Sequence, residues 1–251
     1  MAEKIRLNRF LARAGVCSRR QADELIKEGC VKVNGIIVTK LGTRVDIDDE
    51  VVVNGKKVSI DAFKNKRFTY IALYKPIKVV TTLSDPQKRR TILDILPENL
   101  RGLGMVPVGR LDYFSEGLLI LSNDGDFVYK MTHPKFHLKK VYVVKIKGIV
   151  QDAHLKIMKN GMELKGLHYK LAPVNVQILK KIDPDHFILK FELMQGINRQ
   201  IRRMCHTFGW KVLKLKRIMH GPVKLGRLKP GEFRYLKEKE IKNCLNSLGL
   251  T

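Results

Sequence analysis

The residues best placed to do chemistry in this 251-residue chain fall in one run, Gly109-Arg110-Leu111-Asp112-Tyr113-Phe114-Ser115-Glu116-Gly117-Leu118-Leu119-Ile120-Leu121-Ser122-Asn123-Asp124-Gly125. A glycine-flanked loop here presents a guanidinium, a carboxylate and a hydroxyl, groups that can move a proton or balance a charge, ahead of a buried strand and a turn. The same residues also admit a plain structural use, with Asp112 supporting a turn and Arg110 pairing with Glu116. Other constellations fail. His133 and His137 are four apart, but Pro134 between them and the lack of an adjacent glutamate spoil a zinc-helix reading. Asp124-Gly125-Asp126 lacks the remaining ligands of a calcium loop and reads as a turn. There is no GxSxG elbow and no glycine-rich phosphate loop. Cys17, Cys30, Cys205 and Cys244 are far apart in sequence and form no CxxC pair, so neither a zinc site nor a disulfide framework is expected, and the chain reads as reduced and cytoplasmic.

The elements that would position these residues are legible in outline. Ile5, Leu7, Phe10, Leu11 and Ala14 form a helical apolar stripe ending at Gly15, and Ser18 with Gln21 is a capping-box pattern opening a second helix that runs to Gly29. Two hairpins follow, Val31–Val33 with Ile36–Val38 about Asn34-Gly35, and Val51–Val53 with Lys56–Val58 about Asn54-Gly55. Ser59 to Arg67 has no periodicity and reads as a linker. Beyond it, strands are predicted at 68–74, 118–121, 141–146, 174–179 and 187–193, and helices at 153–159 and 198–208. Strands dominate and no long βαβ alternation exists. The fold class is therefore α+β: a small N-terminal domain at residues 1–60 and a larger one at 68–251 built on a mainly antiparallel sheet.

Charge identifies the kind of partner. Lys and Arg number 49 against 24 Asp and Glu, a formal net charge of +25. That much uncompensated charge repels itself unless a polyanion is usually near, which makes nucleic acid the first candidate and a neutral small substrate a poor one. Hydrophobic residues at 44% argue for packed cores and against a disordered basic tail. The excess is local. Gln195 to Pro230 holds ten Lys and Arg with no acid, and the first 20 residues hold six with one acid, so two separate basic surfaces are expected. No stretch approaches the roughly 18 apolar residues of a membrane span, and the basic N-terminus is not a secretory signal.

The run Leu7-Asn8-Arg9-Phe10-Leu11-Ala12-Arg13-Ala14-Gly15, with Ser18-Arg19-Arg20-Gln21-Ala22 and Gly29-Val31-Val33-Asn34-Gly35, resembles the alpha-L RNA-binding domain named for a small-subunit ribosomal protein. Arg6, Arg9, Arg13, Arg19 and Arg20 lie on or between its two helices, where guanidinium groups can fork onto phosphates of structured RNA.

The GRLD run with its Ser-x-Gly-Leu-Leu and Asn-Asp-Gly, together with Lys140-Val141-Tyr142-Val143-Val144 and Gly196-Ile197-Asn198-Arg199-Gln200-Ile201-Arg202-Arg203-Met204, is similar to the bacterial ribosomal RNA pseudouridine synthases of the RsuA type. With the N-terminal module, the resemblance covers essentially the whole chain. One departure is Phe114, where relatives more often carry a polar residue. Carried over by position, the resemblance implies that Asp112 is the catalytic aspartate, Tyr142 the aromatic beside the target base, and Arg202 the basic partner of Asp112. Arg110, Arg199 and Arg203 are left as RNA-binding. It implies a uridine isomerase that needs no metal, ATP or redox cofactor, works as a monomer on ribosomal RNA, and has no membrane partner. The region from Asn198 to Cys205 with Phe208-Gly209 looks most like the branch acting on large-subunit rRNA. A small-subunit target and a non-catalytic ribosome-assembly factor are the alternatives.

Overall fold

The computed structural model describes residues 4–58 and 67–249, so the predicted linker lies outside the described residues apart from Arg67. The chain divides into two compact units, residues 1–68 and 69–251.

In the first unit, β1 (Ile5–Arg6) pairs with β4 (Arg44–Val45), and the helices α1 (Leu7–Arg13) and α2 (Arg19–Lys27) pack on a four-stranded sheet. That sheet has the order β3 (Ile36–Ile37), β2 (Val31–Val33), β5 (Val51–Val53), β6 (Lys56–Lys57). The predicted stops and turns are where the glycines put them. Gly15 ends α1 at φ +79°, and Asn34-Gly35 and Asn54-Gly55 all have φ between +48° and +80°, as type I′ turns require. Ser18 accepts from Gln21 N–H while the Gln21 side chain accepts from Ser18 N–H, completing the capping box. Leu7, Phe10, Leu11, Ala22, Ile26 and Val31 are buried together, which turns Arg6, Arg13, Arg19 and Arg20 outward and leaves Arg9 half-buried.

The second unit is a nine-stranded sheet whose main path is β11 (Asn175–Asp183), β12 (His186–Leu193), β10 (Lys140–Lys147), β13 (Lys211–His220), β9 (Glu116–Ser122), β7 (Tyr70–Lys75), β15 (Phe233–Tyr235). Two short strands, β8 (Val106–Pro107) and β14 (Val223–Lys224), pair with β9 and β13. All these pairings are antiparallel except β13 with β9, where Lys216 and Arg217 lie beside Glu116 and Gly117 in parallel. That seam divides the sheet into halves. The β10–β12 half packs Val144, Leu189, Phe191, Met204 and Trp210 into one apolar cluster, and the β7–β9 half has clusters on both faces around Ile71, Leu73 and Leu119 and around Ala72, Leu118 and Ile120.

Helices α3 (Glu98–Arg101), α4 (Gly125–Thr132), α5 (Asp152–Lys159), α6 (Gln200–Thr207) and α7 (Glu238–Ser247) complete the unit. Asp124-Gly125-Asp126, predicted as a turn, is instead the start of α4. Asp124 is its N-cap and accepts from the N–H groups of Asp126 and Phe127, a role the residue type suits equally well. β13 was not among the predicted strands. Its sequence reads as a basic run, yet it lies between β10 and β9 and buries Leu215, Arg217 and His220. Arg217 is therefore not one of the charges offered to RNA.

His220 is enclosed at the end of β13. Burial, with the charges of Arg217 and Lys140 nearby, holds its imidazole well below the usual histidine range. The folded state therefore keeps this ring neutral while the unfolded chain protonates it below a pH of about 6.5, so stability falls as the pH drops below that value. Urea unfolding at pH 7, 6 and 5 is expected to show a falling midpoint, with a shallower decline for His220→Leu. Parallel declines for the two proteins would rule out this source of the pH dependence.

Candidate active site

The loop from Gly109 to Ser115 is fixed from several directions before any charged side chain is considered. Leu111 donates its N–H to the Thr81 hydroxyl at 3.3 Å, and that hydroxyl donates back to the Leu111 carbonyl at 2.8 Å. Lys78 N–H donates to the Tyr113 carbonyl at 2.7 Å, and Ser115 N–H closes a turn on the Asp112 carbonyl at 3.0 Å. Leu111 and Ser115 are buried on either side of Asp112, whose carboxylate retains partial exposure, with 31% of the side chain accessible. The loop then enters β9 through Gly117. A Cβ on Gly117 would lie 2.3 Å from the Arg217 carbonyl oxygen, and its φ of +103° suits glycine alone. The glycine in this motif is thus a packing requirement of the seam between β9 and β13.

Arg202 reaches the same loop from α6. Its Nη2 donates to the Phe114 carbonyl at 2.7 Å and lies 3.5 Å from Ser115 Oγ, while its Nε faces Asp112 Oδ2 at 4.0 Å. The Nε is buried and has no hydrogen-bond partner, so the pair is an approach of opposite charges and not a closed fork. Burial and the neighbouring Arg199 pull the Arg202 pKa down, and Asp112 works against them. Residues 90 positions apart in sequence therefore meet because β9 and α6 are brought together across the sheet.

Tyr142 lies on β10 opposite Phe191 of β12 and Arg217 of β13. It is half-buried and packs against apolar clusters of both halves of the sheet. A register shift between Val141 and Tyr142 skips Ile218 on β13, a bulge of the kind that re-aims a side chain next to a site. The sequence readings thus gain geometry for Asp112 and Arg202 as a facing pair and for Tyr142 at the junction of the two halves.

The remaining sequence-predicted residues surround these. Arg110 and Arg199 are exposed; Arg203 is half-buried and donates to the Lys165 carbonyl at 2.7 Å. The possible pair of Arg110 with Glu116 is not what the structure holds: Glu116 is 7% exposed and pairs with Lys214 at 3.0 Å. Beside Arg202 runs a groove of about 500 Å³ that includes Lys165, Arg199, Arg203, His206 and Lys211 in its lining and has no acidic wall. Such a groove holds a phosphodiester strand readily.

Two buried cations near Asp112 escaped the sequence reading. Lys75 is fully buried, donates to the carbonyls of Pro76 and Val79 at 2.8 Å each, and has its pKa lowered to about 8 by burial, with Asp112 and Glu116 opposing. Arg217 is 1% exposed and donates from Nε to the Leu118 carbonyl at 2.8 Å. Lys75 follows an apolar run and looks like a polar strand end, and Arg217 is one lysine-rich position among many; neither carried a distinguishing signal.

Among known proteins, residues 69–207 match the family described as RNA pseudouridylate synthase, and residues 5–51 match the S4 domain. A ribosomal large subunit pseudouridine synthase B from Bacillus subtilis (strain 168) is 40% identical over 94% of this chain and 94% of its own length. An RNA pseudouridine synthase from Aquifex aeolicus (strain VF5) is 41% identical over 98% of this chain and 96% of its own length. A crystal structure of a pseudouridylate synthase superposes with a TM-score of 0.69 at 29% identity, covering 96% of this chain and 99% of that one.

Proposed function

The chain belongs to the RNA pseudouridylate synthase family and carries an S4 domain at its N-terminus, and from that premise we propose that it isomerises one uridine of large-subunit ribosomal RNA. The observation that carries the mechanism is the facing of Asp112 and Arg202 at 4.0 Å within a partly enclosed site that Tyr142 borders. The large-subunit target is supported by the 40% identity to a protein named for that activity.

Pseudouridine has the same atoms as uridine. The N-glycosidic bond breaks, the uracil turns, the ring carbon bonds to the sugar and its hydrogen is lost as a proton, while the ring nitrogen ends with a proton. No electrons or atoms come from a second substrate. A uracil cannot turn while stacked, so it must leave the helix and enter a pocket. In this reading Asp112 acts as nucleophile or base at the sugar, and Arg202 favours its ionised form. The phenol of Tyr142 gives a face that accepts the uracil in either orientation. Arg110, Arg199 and Arg203 hold phosphates near the site, and Arg6, Arg9, Arg13, Arg19 and Arg20 dock the N-terminal domain on structured RNA. The enzyme acts as a cytoplasmic monomer without a membrane partner. No helix among the described residues is long and apolar enough to cross a membrane.

Mapping pseudouridine across rRNA from cells with and without this protein tests the assignment. One large-subunit position is expected to revert to uridine. Reversion in the small subunit would move the target, and an unchanged map would leave a non-catalytic assembly factor as the better reading.

A further inference from the structure

The loop that carries Asp112 ends in two aromatic residues that the reaction as described does not use. Tyr113 is half-buried, held through its carbonyl by Lys78 and overlain by the Arg89 guanidinium 6.0 Å from its ring centroid. Phe114 meets that ring edge to face, with centroids 5.0 Å apart and planes at 79°. It remains 57% exposed and belongs to none of the four apolar clusters.

A solvent-facing phenylalanine is ordinary by itself. This one is two residues from Asp112, and its own carbonyl accepts from Arg202 at 2.7 Å, so the guanidinium that faces the carboxylate also sets the backbone that carries the ring. Exposed Arg110 and Lys78 lie on the same stretch of loops. An apolar face among cations, registered to the reacting group and supported by a second ring, is suited to a flat π-system on a polyanion. Its preorganisation limits the conformational entropy that ordering a ring on binding would otherwise cost.

Resting on the reading of the chain as a uridine isomerase, we propose that Phe114, braced by Tyr113, stacks on a nucleobase adjacent to the target uridine and occupies the gap that the flipped base leaves. Extrusion costs a few kcal/mol of lost stacking and pairing, and an aromatic–base stack restores about 1 to 3 kcal/mol. Phe114 is thus a positioning residue that favours the flipped state; it does not touch the reacting atoms.

The test compares wild type, Phe114→Ala and Phe114→Trp on two versions of an rRNA fragment, one with the target uridine paired and one with its pairing partner mismatched. Single-turnover conversion at saturating RNA, RNA binding, thermal stability and the signal of a fluorescent purine analogue beside the target are read for each. Phe114→Ala is expected to slow conversion of the paired substrate roughly tenfold, the equivalent of about 1.4 kcal/mol, with unchanged melting temperature. The deficit shrinks on the mismatched substrate, Phe114→Trp restores the rate, and Phe114→Ala alters the fluorescence of the bound RNA. Conversion by Phe114→Ala within twofold of wild type on both substrates overturns the proposal. So does an equal loss on both that tryptophan does not restore, which marks a loop-shaping role. Should wild type bind the fragment without converting it, the isomerase reading fails separately, and the fluorescence comparison still decides whether Phe114 stacks.

Discussion

Asp112→Asn is expected to lower single-turnover conversion of uridine in an rRNA fragment by roughly 10⁴-fold or more, the scale seen when a nucleophile or its base is removed from an active site. Asparagine fills nearly the same space, and the loop is held by backbone bonds to Thr81, Lys78 and Arg202 that the substitution leaves intact. What is lost is the charge and the nucleophilic oxygen. Binding of the same fragment by filter assay should not weaken, because removing a negative charge from a basic surface does not diminish its attraction for phosphate. Near-normal turnover by the variant would sink the catalytic assignment and return the GRLD loop to a purely architectural part.

The second large effect is expected from Arg202→Met, which keeps the length of the side chain and removes the group facing Asp112. Loss of a preorganised charge partner at a reacting centre typically costs about 10²- to 10³-fold in rate. Two further contacts go with it, to the Phe114 carbonyl and to Ser115 Oγ, so the loop loses a tether as well as a charge. Arg203→Met is the matched comparison. Arg203 follows on the same helix, but its Nη2 holds the Lys165 carbonyl in the basic groove, so its replacement should weaken RNA binding and spare the rate at saturating RNA. Equal rate losses for the two variants would show that Arg202 acts as a phosphate contact only.

Most of the architecture was readable because local signals and the global fold agree. The Asn-Gly turns, the Ser18–Gln21 cap and the alternating strands at 140–147 and 186–193 each have one good solution. β13 escaped because two of its inward positions are Arg217 and His220, which break the apolar alternation that marks a strand, while its lysines supply the appearance of a solvated basic run. The start of α4 escaped because an aspartate before a glycine serves turns and helix caps alike. Within the site, Asp112 was visible as part of a motif, but the reason for Gly117 was not. It depends on a backbone 100 residues away, and no local spacing encodes that approach. Lys75 was invisible for the same reason, since its burial follows from what the sheet places over it.

The seam at Glu116-Gly117 and Lys216-Arg217 also bears on how the enzyme comes into being. Most of the strand contacts can form within one half of the sheet or the other, some of them, such as β11 with β12, between neighbours in sequence. Joining the halves closes a loop of about a hundred residues, whose entropy cost must be met before the pairing returns anything, and pairings of that kind form slowly. Asp112 arrives with one half and Tyr142 and Arg202 with the other. A newly made chain can therefore hold most of its hydrogen-bonded structure while still inert, and its competence toward RNA dates from the moment the two halves zip together.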